Sequence, residues 1–168
     1  MRPFEYNRPR GRSREDRRRR ALTIGGSILV VAALVMIGYP VATDLIHNDI
    51  QGRLSSQLQS AKTKQAYLSG SVGDGDSLTR IQIPKLGVDV VVVQGIDEAA
   101  LNAGAGHYPE TPLPCQAGDV AIAGHRTTFG KPFANINLLV PGDQINLVTP
   151  VGSCVYRVTE APFIVLAD

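Results

Sequence analysis

Residues 21–41, ALTIGGSILVVAALVMIGYPV, contain no charged side chain, and this run narrows what the chain can become more than any other. At about 1.5 Å per residue, about 21 helical residues span roughly 31 Å, the thickness of a bilayer core. A helix buried in a soluble protein shows a polar stripe on one face, and this run has none. A cleaved export signal carries a shorter apolar stretch and a small-x-small cleavage site, which Tyr39-Pro40 does not resemble. The run reads as an uncleaved transmembrane helix, with residues 21–43 as the anchor. Four arginines, Arg17 to Arg20, abut its N-terminal end. The positive-inside rule puts that end in the cytoplasm and everything after about Thr43 outside a plasma membrane crossed once.

Charge divides the same way. Residues 1–20 hold nine Arg against Glu5, Glu15 and Asp16, a net +6, so the rest of the chain carries −4 of the overall +2. That tail is too polar to offset its ordering entropy and reads as disordered. Arg blocks of this kind can bind nucleic acid, but the adjoining span accounts for this one, and no nucleic-acid partner is expected. Trp is absent and aromatic residues make up 5%, so no large aromatic cofactor site is expected.

Beyond the anchor the pattern changes twice. Ile46, Ile50, Leu54 and Leu58 recur every fourth residue among polar neighbours, which predicts a juxtamembrane helix over residues 44–68. It is either folded against a domain or a solvated stalk. Residues 69–76, SGSVGDGD, are a linker by composition, and the domain boundary is placed there, with the domain at 77–168. From Thr79 onward the period drops to two. TRIQI (79–83), VDVVVVQ (88–94), DVAIA (119–123), residues 144–148 and SCVYRVT (153–159) read as strands, and residues 163–166 as a further strand start. Asp97 to Leu101 suits one helical turn. Five or six short strands with tight turns and little helix make a mainly β barrel or sandwich. About 90 residues bury a limited share of their surface, so such a domain often needs a staple or a partner.

His125 follows a predicted strand and precedes Arg126-Thr127-Thr128-Phe129-Gly130. A strand end opening into a polar loop is where β scaffolds carry functional side chains, and imidazole can act as acid, base or ligand near neutrality. A histidine that only braces its own loop is the plainer reading of this local pattern.

The wider context decides between them. Gly106-His107-Tyr108-Pro109, Thr111-Pro112-Leu113-Pro114, residues 118–130 (GDVAIAGHRTTFG), Pro132-Phe133 and Pro141-Gly142-Asp143 occur in order. Together with the upstream IQIPKLGV run (81–88), they resemble the sortases, class E in particular. That resemblance implies a sortase-like β-barrel behind one transmembrane helix, and cysteine transpeptidation at the cell surface. A Cys thiolate attacks a carbonyl of a sorting-signal peptide, and an amine acceptor in the cell envelope resolves the thioester. It assigns His125 as the catalytic acid that protonates the departing amine, and it needs no cofactor or metal.

The family's nucleophile belongs to a T-L-x-T-C-like motif on a later strand, and its Arg lies on the strand after that. Neither motif occurs in these 168 residues. The expectation is therefore an incomplete barrel and a chain with little or no activity. Cys154 and Arg157 are poor substitutes: three residues apart on one strand, they point to opposite faces. Arg126 adjoins His125 rather than following on a later strand. A non-catalytic extracellular β domain that binds peptide or a partner protein is the alternative, and a piece or frameshifted reading of a longer enzyme is the third.

His107 and Tyr108 are candidates for a substrate groove, or else for core packing at a loop base. Cys115 and Cys154 are a possible disulfide, as expected of two cysteines in an exported domain; closing a loop of about 40 residues contributes roughly 4 kcal/mol in the chain-entropy account. Two unpaired buried thiols are the alternative. A zinc site from His107, His125, Cys115 and Cys154 has suitable ligand types but fits no common spacing.

Overall fold

The computed structural model describes residues 14–165. The chain divides into two compact units at the Tyr39/Pro40 junction. In the first, helix α1 (Arg14–Leu58) begins with Glu15 and Asp16 in its first turn, where acidic groups complement the helix dipole. Glu15 pairs with Arg19 one turn on, at 3.1 Å. Residues 14–20, expected to be disordered, are thus helical: Arg is a good helix former, and the apolar helix extends into it. The rest of that expectation, on residues 1–13, lies outside the described residues. Side chains 21–39 are all exposed, and α1 is long and apolar enough to cross a membrane.

In the second unit α1 turns one face to protein. Thr43, His47, Leu54 and Leu58 are buried and Ile50 half-buried, whereas Ile46 is 57% exposed. The four-residue stripe read from sequence fails at Ile46 for a geometric reason. Each four-residue step turns about 40° too far around a helix of 3.6 residues per turn, so a strict row of fours drifts off the contact face. Steps of four, three, four and four, from Thr43 to Leu58, stay on it.

The helix expected over 44–68 is interrupted. The chain breaks at Gln59-Ser60, and α2 (Ala61–Ser69) starts afresh with Ser60 as N-cap, its Oγ accepting from Thr63 N at 3.1 Å. Gly70, at φ 66°, closes α2 in the left-handed conformation. The expected linker folds back on α1: Gln57 Nε2 donates to Asp76 Oδ1 at 3.0 Å, and Ser77 Oγ donates to the Leu54 carbonyl at 2.9 Å.

Six strands form one sheet: β1 (Ser77–Ile83), β2 (Val88–Gln94), β3 (Ala105–His107), β4 (Ile122–Gly124), β5 (Gln144–Thr149) and β6 (Gly152–Arg157), in the order β4-β3-β2-β1-β5-β6. Every pairing is antiparallel except β2 with β3. That parallel step is bridged by α3 (Glu98–Ala103), whose N-cap Asp97 accepts from Ala100 N at 2.8 Å. Among the described residues β4 and β6 each have one strand neighbour, so the sheet is open between them.

The run Val90-Val91-Val92-Val93 explains itself through burial on both faces of β2. Val90 and Val92 join Ile81, Ile83, Phe133 and Leu147 in one cluster, while Val91 and Val93 meet Leu54, Leu58 and Ala100 in a second. Beside β2, where β3 has not yet begun, the Gln51 side chain takes a strand's place. Its Oε1 accepts from Val91 N at 2.7 Å, and its Nε2 donates to the carbonyls of Val91 (3.2 Å) and Ala103 (2.7 Å). Buried backbone groups are thereby satisfied where no strand can pair.

Three strand expectations change. β3 is a strand that its Gly-containing sequence did not announce. The strand read at 119–123 is the shorter, half-buried β4, with Asp119 exposed. Residues 163–165 are exposed and irregular, and Leu166 lies outside the described residues.

The shifted contact face predicts a contrast between two α1 residues. Leu54→Ala should cost about 2–5 kcal/mol, whereas Ile46→Ala should stay within about 0.5 kcal/mol. Denaturant unfolding of the full chain in detergent, followed by the tyrosine signal, separates them; equal losses rule out the face described.

Candidate active site

His125 leaves the end of β4 half-exposed. Gly124 before it is required by close packing, because a Cβ there would lie 2.8 Å from the Phe133 ring. Phe133 N donates to the His125 carbonyl at 3.3 Å, so the segment between them is a closed loop. Within it Phe129, Gly130 and Lys131 have φ of 50°, 72° and 47°. A left-handed conformation costs a non-glycine residue about 1–2 kcal/mol, so Phe129 and Lys131 need outside contacts to hold them. The Phe129 ring lies against the His125 imidazole, centroids 5.3 Å apart and tilted by 36°. Arg126 braces the same loop, its Nη2 donating to the Ala134 carbonyl and to Asn137 Oδ1, both at 3.1 Å.

An apolar cleft of about 240 Å³ opens beside this strand, lined by Ile81, Ile83, Ile122, Phe133, Leu147 and Tyr156 among others. Ile122 and Phe133 bracket the segment bearing His125, so the cleft ends next to the imidazole's own strand and loop.

His107 is not at a groove. It is fully buried, with Nδ1 2.9 Å from Gln94 Oε1 and Nε2 3.0 Å from both the Pro112 carbonyl and Thr111 Oγ1. Both ring nitrogens are used, and the ring ties β2 to the segment after β3. Burial lowers its pKa, partly offset by the Pro112 carbonyl. Tyr108 is different: it is 37% exposed, with its N–H donating to the Ala121 carbonyl at 3.0 Å, and its ring is open to solvent.

Cys115 and Cys154 are bonded to each other, joining the 108–118 segment to β6. No other cysteine exists in the sequence, so no thiol remains in this state and neither sulfur is a thiolate for a metal. The zinc set considered above is therefore broken up, with His107 committed to its own hydrogen bonds. Arg157 is exposed, its Nη1 3.4 Å from the Gly142 carbonyl, and forms no site with Cys154.

Sequence reasoning missed the partners of these residues. Gln94 lies thirteen positions before His107, and Asp44, which contacts the His125 loop, lies 86 positions before Gly130. The unbroken valine run before it is the one signal that put Gln94 inside; nothing in the sequence marked Asp44.

Comparison with known proteins places these features. The sortase domain model matches residues 81–167. Sortase SrtE1 of Streptomyces coelicolor is 38% identical over 113 residues, covering 63% of this chain and 32% of that protein. Sortase D of Bacillus subtilis is 30% identical over 84 residues, half of this chain and 41% of that protein. The chain thus spans about a third to two fifths of the length of these curated relatives. Among solved structures, a Clostridium perfringens sortase D5 transpeptidase superposes with a TM-score of 0.58 at 26% identity, over 68% of this chain and 72% of that one. Sortase E of Streptomyces avermitilis gives 0.51 at 33% identity, over 54% of this chain and 61% of that one.

Two buried histidines set a pH dependence. His107 and His47 both have pKa values lowered by burial, the latter partly offset by Asp44. Above the ordinary value of 6.5 both are neutral in either state and stability is full. As pH falls below 6.5 the unfolded chain takes up protons that the folded chain does not, so stability declines until the folded values are reached. Thermal midpoints measured from pH 7.5 down to 5 should fall; a midpoint that holds or rises over that interval contradicts the neutral buried rings.

Proposed function

The chain belongs to the sortase domain family, and from that premise we propose that it carries the acid half of a class E-like transpeptidase site on a membrane anchor. In this reading residues 1–20 face the cytoplasm, residues 21–43 cross the membrane, residues 44–76 lead out of it, and residues 77–168 form the β domain at the cell surface. The Arg17–Arg20 block supports that orientation. The substrate is a sorting-signal peptide of a secreted protein, and the acceptor is an amine of the envelope.

The chemistry assigned to His125 is proton delivery. A cysteine thiolate adds to the scissile carbonyl, and the C–N bond breaks as the imidazolium gives its proton to the departing amine. The acceptor amine then attacks the thioester, forming the new C–N bond as the C–S bond breaks and the thiolate leaves, and its proton passes to the imidazole. The half-exposed ring just past β4 supports this role, and the strand and loop that carry it also supply Ile122 and Phe133 to the apolar cleft. An extended peptide in that cleft places side chains against Ile122 and Phe133, and Tyr108 offers an aromatic face and a hydroxyl nearby in the chain.

One observation supports the reading that these residues do not cleave alone: both cysteines share one disulfide. A sortase reaction needs a thiolate, and this state has none. We therefore assign the chain no cleavage activity of its own. Its apolar cleft also favours a second reading, a surface β domain that holds a peptide without cutting it.

The test joins residues 1–165 to the C-terminal strands of a sortase chosen to supply the T-L-x-T-C-like and Arg motifs. The purified chimera should cleave a sorting-signal peptide in a thiol-blocker-sensitive manner. His125→Ala should lower its rate by about 10²–10⁴-fold, and the natural chain should be inert. A folded chimera whose rate survives His125→Ala removes the residue from this role. Thiol-sensitive cleavage by the natural chain moves the nucleophile to Cys115 or Cys154.

A further inference from the structure

The loop that follows His125 is held by a part of the chain far from it in sequence. Asp44 Oδ1 accepts from Gly130 N at 3.3 Å across 86 residues, and Asp44 Oδ2 lies 3.3 Å from Lys131 Nζ. One turn on, His47 is 4% exposed and fits flat against the same glycine: a Cβ on Gly130 would fall 2.3 Å from His47 Nε2. A Cβ on Gly104 would fall 3.2 Å from the ring's Cε1. His47 Nδ1 has no hydrogen-bond partner. Burying a polar atom unpaired is unfavourable, so hydrogen bonding at Nδ1 is not what holds the ring there; its fit between Gly104 and Gly130 is. The Lys131 ion pair has both side chains 40% exposed, and exposed pairs contribute little. The hydrogen bond to Gly130 and the shape of His47 therefore carry the contact.

These contacts fall on the run that most needs holding. Phe129, Gly130 and Lys131 are all left-handed, Asp44 binds the second and third, and the first carries the ring that packs on His125. We propose that Asp44 and His47 are positioning residues for His125: they fix the left-handed run, and through Phe129 they set the angle and reach of the imidazole. The proposal rests on the reading of His125 as the acid, and it adds that the residues just after the apolar span are part of the site's support. Neither residue touches the substrate.

The test is spectroscopic and needs no turnover. The full chain, labelled at histidine, phenylalanine, glycine, valine and leucine, is studied by NMR in detergent micelles. Asp44→Ala should speed amide hydrogen exchange at Gly130 by about tenfold or more, the signature of local opening. It should also move the His125 ring signals toward their positions in Phe129→Leu, where the neighbouring ring current is gone. The Val92 and Leu147 methyl signals should stay in place. Asp44→Asn keeps an acceptor for Gly130 N and should restore both readouts. His47→Ala, which opens a gap beside Gly130, should shift the His125 signals in the same direction and gives a second route should Asp44→Ala unfold the domain. His125 signals that remain at wild-type positions in both alanine variants overturn the proposal, as does an Asn variant no better than Ala. Because these signals report geometry alone, they stand whether or not the chimera needs His125 for cleavage, so the two readings fail separately.

Discussion

Burial of β2 on both faces is the constraint from which the rest of this domain follows. Val90 and Val92 fill one side of the sheet and Val91 and Val93 the other. A strand with four consecutive valines has no face it can leave to water, so something must cover the second side. The end of α1 does so with Leu54 and Leu58. Once those leucines are seated, helical geometry places Gln51 against the Val91 backbone and His47 against Gly130. The end of α1 is therefore part of the domain's core rather than a solvated stalk.

A second pair of ties acts on the segment between β3 and β4. His107 grips it from inside, through Thr111 and Pro112, and the Cys115–Cys154 bond pins it to β6 from outside. Cross-linking restricts the unfolded chain, and the buried ring, with both nitrogens engaged, supplies specific geometry in the folded one. Together they keep the segment in place although Gly118, Asp119 and their neighbours are exposed and have little apolar surface to bury. The chemical consequence is that the sulfurs serve architecture. A sulfur in a disulfide cannot attack a carbonyl, and the proposed site therefore rests on His125.

Much of this was legible in the residues. The apolar run, the alternation in β1 and β6, the β-branched run of β2, and the turn at Pro141-Gly142 all depend on local pattern, and local pattern is what a sequence displays. The strand end before His125 was legible as well, and the structure puts it at Gly124. His107 was misplaced because a histidine beside a tyrosine reads the same in a groove or a core; only the pairing of β2 with β3 brings Gln94 under its ring. The stripe on α1 was misjudged at Ile46 because residue type outweighed angle: an isoleucine lies outside the contact face and a histidine one position later lies inside. β3 was missed because Ala105 and Gly106 carry no β signal, and its place comes from the ladder with β2 and β4.

The His125 loop shows why the remainder could not be read locally. Its three left-handed residues include a phenylalanine and a lysine, which do not choose that conformation unaided. Local sequence predicts a turn there but not which one. The deciding contacts come from Asp44 and His47, on a helix whose own position is fixed by leucines packed on the far side of β2. The geometry of the imidazole is thus set by a chain of causes running from the valines of one strand, through the helix that covers them, to a glycine that leaves room for a histidine. Each link is ordinary packing or hydrogen bonding, and only their order in space, invisible along the chain, makes them one support.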